Sequence, residues 1–168
     1  VEAGQLDASD VYARAQEVLN VAAAAAGLPA PRPYDLESHH GLATRIAAEA
    51  ITLLRNEDDL LPLSAGTSVA LIGALADTPR FQGSGSSQVN PTRVESPRGL
   101  LEAGGEASGG LVCAGYTSGY ERHGGTSDAL IAEAVALAER ADVALVYVGL
   151  DELAESEGLD RPHMRLSE

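Results

Sequence analysis

The sequence predicts an α/β fold: a partial, doubly wound, mostly parallel sheet of three strands with helices on both faces. Three apolar runs carry the strand assignment: SVALIGA (68–74), LVCAGY (111–116) and DVALVYVGL (142–150). Each is near-continuous rather than alternating, the pattern of strands buried on both faces. Between the second and third runs lies TSDALIAEAVALAERA, a capped amphipathic helix. Strand, helix and strand at that spacing make a βαβ unit. Open sheets of this class carry about five or six strands, so three make a thin sheet and imply part of a larger protein or a chain that pairs with one.

Taken in order, ASDVYARAQEVLNVAAAAAG opens the chain as a helix. Ser9 or Asp10 caps its start, Gly27 marks its stop, and Val11, Ala15, Val18 and Ala22 form one apolar stripe. The segment LPAPRPYD follows, whose prolines lack a backbone donor and force extended neighbours, so residues 28–38 read as a linker. A second helix is expected from Leu36 to Asn56, with Leu42, Ile46, Ala50 and Leu53 on one face. Cys113 sits inside the second apolar run and reads as a small buried hydrophobe.

The charge is lopsided: 25 acidic residues against 11 basic ones, a net of −14, and every basic residue is Arg. Nucleic acid and anionic membrane surfaces are excluded as partners, since their phosphates would be repelled. A neutral ligand fits best. No apolar run reaches the ~18 residues of a membrane span. A soluble protein is expected, the cytoplasm slightly favoured over export, and the missing leader says little about the parent.

In open parallel sheets ligands bind beyond the carboxyl ends of the strands. Right-handed crossovers bring the loop after the first strand, ADTPRFQGSGSSQVNP, and the loop after the third, DELAESEGLDRPH, to one edge. GSGSSQ offers backbone amides and hydroxyls. It reads as a phosphate cradle, a plain flexible loop, or a wrap for a neutral polar ligand; both nucleotide-binding glycine patterns fail, and no lysine is present. The second loop crowds Glu152, Glu155, Glu157 and Asp160 together. It reads as a solvated acidic turn, a metal site, or a carboxyl group fixed for proton transfer; the calcium-loop ladder is missing, and Asp160-Arg161-Pro162 makes a corner suited to hold the loop still. His39, His40, His123 and His163 lack zinc-type spacing and read as surface or capping residues.

Together AAEAITLLRNEDDLLPL, SVALIG, PRFQGSGSSQVNP and ESEGLDRPHMRL resemble the second, α/β sandwich domain of glycoside hydrolase family 3, over residues 39–168. Residues 1–27 resemble the closing helix of that family's preceding barrel. The family holds β-glucosidases, β-xylosidases and β-N-acetylglucosaminidases. The resemblance implies a retaining enzyme that needs no cofactor and no metal, with an Asp nucleophile on a barrel absent from these residues. It implies Glu157 as general acid/base with Glu155 as second choice, Asp160 and Arg161 as braces, and Ser86, Ser87 and Gln88 beside the sugar. The implied partners are a carbohydrate substrate, the parent's barrel domain, and a second copy of the chain covering the open sheet edge. Retaining hydrolysis needs its acid protonated near neutral pH, so Glu155 and the nucleophile are expected to raise the pKa of Glu157. The alternative is a non-catalytic carbohydrate-binding or interaction module of the same fold.

Overall fold

The computed structural model describes residues 3–31 and 33–166. It divides into two compact units, Val1–Arg55 and Asn56–Glu168. The first contains two helices. Helix α1, Ala8–Ala26, starts one turn earlier than the sequence suggests: the cap is Asp7, whose Oδ1 accepts the Ser9 amide at 2.9 Å. Gly27 ends it by donating to the carbonyls of Ala23 and Ala24. The apolar stripe is exposed at Val11 and Val18. Helix α2, Leu36–Ala50, is capped by Asp35 and stops short of the expected Asn56. Ile51 leaves it in extended geometry at φ −70°, ψ 125°. Two β-branched residues in a row, Ile51 and Thr52, lose side-chain freedom in a helix, which favours the exit there.

The second unit is the α/β domain. Strands β1 (Ser68–Ile72), β2 (Val112–Thr117) and β3 (Val143–Val146) form one sheet in the order β2-β1-β3, and both pairings are parallel. Short helices α3 (Ala74–Asp77) and α4 (Pro97–Ala103) and the longer α5 (Asp128–Ala138) complete it. Of these, α4 lies between the glycine-rich loop and β2. Its signals were present: Ser96 caps it by accepting the Gly99 amide at 3.0 Å, and proline occupies the first turn, where a missing donor costs nothing.

Central β1 explains the continuous apolar pattern, since Val69, Ala70, Leu71 and Ile72 are all buried. Side chains alternate along a strand. Val69 and Leu71 cluster with Ala76 and with Leu101 of α4. Ile72, on the opposite face, lies beside Ala134 of α5: a Cβ on Gly119 would touch both. The alternation therefore places α4 and α5 on opposite faces of the sheet. The third apolar run is longer than its strand, because β3 pairs only to Val146, and Tyr147 then donates to the Ile72 carbonyl at 2.8 Å. Gly73 makes this crossing feasible. Its φ is +118°, and a Cβ there would stand 2.2 Å from the Tyr147 carbonyl oxygen. The carboxyl ends of β1 and β3 thus run side by side, and their loops emerge together. Among the described residues no helix is long and apolar enough to cross a membrane.

Leu71→Ala should cost about 2–5 kcal/mol in urea unfolding, because it opens a cavity around a fully buried side chain of the central strand. Val18→Ala, on the exposed stripe of α1, should change the same measurement by no more than about 0.5 kcal/mol.

Candidate active site

The loop after β3 is held from inside. Asp151, only 4% exposed, accepts the amides of Leu153 and Ala154 on Oδ1 at 3.0 and 2.7 Å. Its Oδ2 meets Nδ1 of His123 at 2.9 Å. Burial alone would favour the neutral acid, but these three partners outweigh it and hold the Asp151 pKa below its ordinary value. Next to it, Glu152 pairs with Arg122 (Nη2–Oε2 3.0 Å), and that hydrogen bond lowers its pKa. Arg122 also donates to the Thr78 carbonyl, in the loop after β1, at 2.6 Å. His123 is therefore more than the surface histidine its sequence context suggests. The chain distance of 28 residues to Asp151 hides the pair from any sequence pattern.

Arg80 makes the principal link between the two loops. Its side chain, 19% exposed, donates through Nη1 to the Leu150 carbonyl at 3.2 Å and to Glu155 Oε2 at 3.1 Å, and through Nη2 to the Glu155 carbonyl at 2.9 Å. Buried Ser84 adds its hydroxyl, within 3.3 and 3.4 Å of the carbonyls of Glu152 and Glu155. Arg161 reaches the other oxygen of Glu155 at 3.4 Å. Of the corner residues, Arg161 thus meets Glu155, while Asp160 is exposed.

With the loop fixed, a tight turn over Ser156–Leu159, closed by Leu159 N–H on the Ser156 carbonyl at 3.1 Å, carries Glu157 at its tip. Glu157 Oε2 accepts the Ser86 amide at 2.9 Å and also the Ser86 hydroxyl. The two loops converge at this point. An open cleft of about 380 Å³ lies between them, lined by Arg80, Ser84, Ser86, Ser87, Glu155 and Glu157 among others. Gln88 faces a neighbouring cleft of about 220 Å³ with Phe81, Gln82, Arg122 and Glu152. The structure thus brings Ser86, Ser87, Glu155 and Glu157 together and leaves Gln88 next door. Arg80, Arg122 and Asp151, which do the holding, carried no sequence signal beyond their charge.

In this chain the Glu157 pKa lies below its ordinary value, against the rise expected from Glu155. Hydrogen bonds from the Ser86 hydroxyl and then its amide lower it, because both stabilise the carboxylate. Glu155 does not raise it, since Arg80 and Arg161 compensate its charge. Among the described residues no group of three or more His, Cys, Asp and Glu side chains is arranged to hold a metal ion.

Fold and site together define an open α/β domain whose polar cleft, with a carboxylate at its lip, lies beyond the carboxyl ends of its strands. The model of the glycosyl hydrolase family 3 C-terminal domain matches residues 51–168, and the chain belongs to that family. Thermostable beta-glucosidase B of Acetivibrio thermocellus is 46% identical over 136 residues, which are 80% of this chain and 18% of that protein. An exo-alpha-(1->6)-L-arabinopyranosidase of Bifidobacterium breve is 39% identical over 76% of this chain and 17% of its own length. The crystal structure of the Bifidobacterium adolescentis GH3 beta-glucosidase superposes with a TM-score of 0.73 at 33% identity, covering 97% of this chain and 23% of that one. The chain spans less than a fifth of the length of these two curated relatives.

Asp151→Ala should destabilise the chain by about 1–3 kcal/mol at pH 7, since the Leu153 and Ala154 amides lose their acceptor. The depressed Asp151 pKa makes its contribution complete above the ordinary Asp value of about 3.9 and lost as pH falls through the folded value. Denaturant unfolding should therefore show the gap between wild type and Asp151→Ala narrowing as pH falls below about 4.

Proposed function

We propose that this chain supplies the general acid/base of a retaining β-glycosidase, β-glucosidase-like in its substrates, with Glu157 as the proton-transfer residue. The nucleophilic Asp belongs to a barrel domain outside these residues, and the substrate is a neutral, terminal β-linked sugar. One observation carries the reading: Glu157 stands at the tip of a braced turn, on the lip of a hydroxyl-lined cleft, with no basic side chain paired to it among the described residues. Glu155 is the weaker choice, because each of its oxygens is engaged by an arginine. Ser87 and Gln88 extend the polar lining available to a sugar. The family and the names of the relatives support the glycosidase class.

The chemistry follows from two carboxyl groups about 5–5.5 Å apart. As the nucleophile attacks the anomeric carbon, Glu157 gives its proton to the glycosidic oxygen and the aglycone leaves. Glu157, now a carboxylate, then takes a proton from water, which attacks the anomeric carbon and releases the nucleophile. The second step is served by an ionised Glu157, the form that the Ser86 donors favour. The first needs it protonated. A nucleophile carboxylate brought close by the barrel favours that neutral form, and water exclusion at the domain contact adds to it. A chain without that partner should keep Glu157 ionised and be inactive.

In the full-length parent, Glu157→Ala should lower kcat/KM for aryl β-glucosides with poor leaving groups by about 10²–10⁴-fold, with much smaller losses for good leaving groups. Azide should restore turnover and yield the β-glycosyl azide. Wild-type hydrolysis of both substrates by Glu157→Ala or Glu157→Gln would contradict the assignment and favour a non-catalytic carbohydrate-binding module. The 168-residue chain alone should show no turnover of the same substrates above buffer; clear turnover by pure chain would contradict the two-domain site.

A further inference from the structure

Glu157 touches the glycine-rich loop through one oxygen. Oε2 takes both Ser86 donors, while Oε1 receives no donor from the described residues. Gly85 clears the approach: its φ is +85°, and a Cβ there would stand 3.0 Å from Oε2 and 3.1 Å from the Glu157 Cβ. Three carboxylates near this contact have partners of their own. Glu155 is held by Arg80 and Arg161, Glu152 by Arg122, and Asp151 by His123. Among the described residues no cation reaches Glu157, and the groups that stabilise its negative charge are the hydroxyl and amide of one serine.

We propose that Ser86 is the positioning residue of Glu157: it seats Oε2 on the glycine-rich loop, favours the anionic form, and leaves Oε1 as the oxygen that gives and takes the proton. The inference rests on the acid/base reading of Glu157 for its catalytic part, but the seating itself does not. It also reassigns Ser86, which the resemblance places in contact with the sugar. Two donors converging on one carboxylate oxygen restrict rotation about the last torsion of the side chain, which is otherwise broad. They also favour the charged over the neutral form, because the neutral acid is a poorer acceptor. Ser86 thereby sets how readily Glu157 recharges between the two half-reactions.

The first test needs no activity. The carboxyl carbon of Glu157 is followed by NMR through a pH titration of the chain, in wild type, Ser86→Ala and Ser86→Thr. Ser86→Ala should move the Glu157 midpoint upward toward the ordinary glutamate value, and Ser86→Thr, which keeps the hydroxyl, should hold the wild-type midpoint. Gly85→Ala, which displaces Glu157 by a different route, should also move it upward. A midpoint unchanged in both Ser86→Ala and Gly85→Ala, with the folded amide spectrum retained, overturns the seating. The second test uses the full-length parent. Ser86→Ala should shift the basic limb of the kcat/KM profile to higher pH with KM for the aryl glucoside unchanged, and Ser86→Thr should restore it. A raised KM with an unmoved limb overturns the proposal and returns Ser86 to the sugar. Should Glu157→Gln prove fully active while the titration shifts as stated, the acid/base reading fails and the seating stands.

Discussion

The geometry of the cleft depends on one guanidinium. Arg80 leaves the loop after β1 and holds the loop after β3 at a backbone carbonyl, a side-chain carboxylate and a second backbone carbonyl. An exposed ion pair would contribute about 1 kcal/mol or less. Arg80 differs because it is largely buried and its planar fork satisfies three acceptors at once, where a lysine ammonium offers no such fixed geometry. Its carboxylate partner is itself shared with Arg161. Three charges in a row, two positive around one negative, convert a chain segment rich in acidic residues into a fixed turn. Glu157 inherits its position from that turn rather than from any contact of its own with the sheet.

The arrangement also resolves how an acidic protein tolerates such crowding. Three acidic residues of this loop have partners of their own: Asp151 meets the His123 ring, Glu152 pairs with Arg122, and Glu155 with two arginines. Glu157 is answered by the neutral donors of Ser86. Neutral donors stabilise a carboxylate without cancelling its charge, so its proton affinity stays open to a nearby negative group. That is the property wanted in a residue that must be an acid in one step and a base in the next.

Much of the fold was legible in the sequence. Continuous apolarity in SVALI announces a strand buried on both faces, and β1 is the centre of the sheet. The rule that parallel strands deliver their loops to one edge placed the glycine-rich and acidic loops together, and Ser86 meets Glu157 there. What failed was local competition. Helix α2 ends at Ala50 because β-branched residues oppose an otherwise helix-like run. The ion pairs were illegible for a different reason. Arg80 and Glu155 lie 75 residues apart, and nothing in either neighbourhood selects one arginine among the 11 basic residues. The sign of the Glu157 shift was missed for the same cause: an unpaired Glu155 would have raised it, and the pairing is a property of the fold.

The central claim is that the β1 and β3 loops deliver the Glu157 carboxyl to the reacting bond of a sugar held by another domain. The most direct measurement is a crystal structure of the full-length parent with a glycosyl-enzyme trapped by a 2-fluoro-glucoside. The account predicts the Glu157 carboxyl about 5–5.5 Å from the barrel nucleophile, with Oε1 turned toward the anomeric carbon. A different carboxyl group at that distance, with Glu157 remote from the sugar, would contradict it.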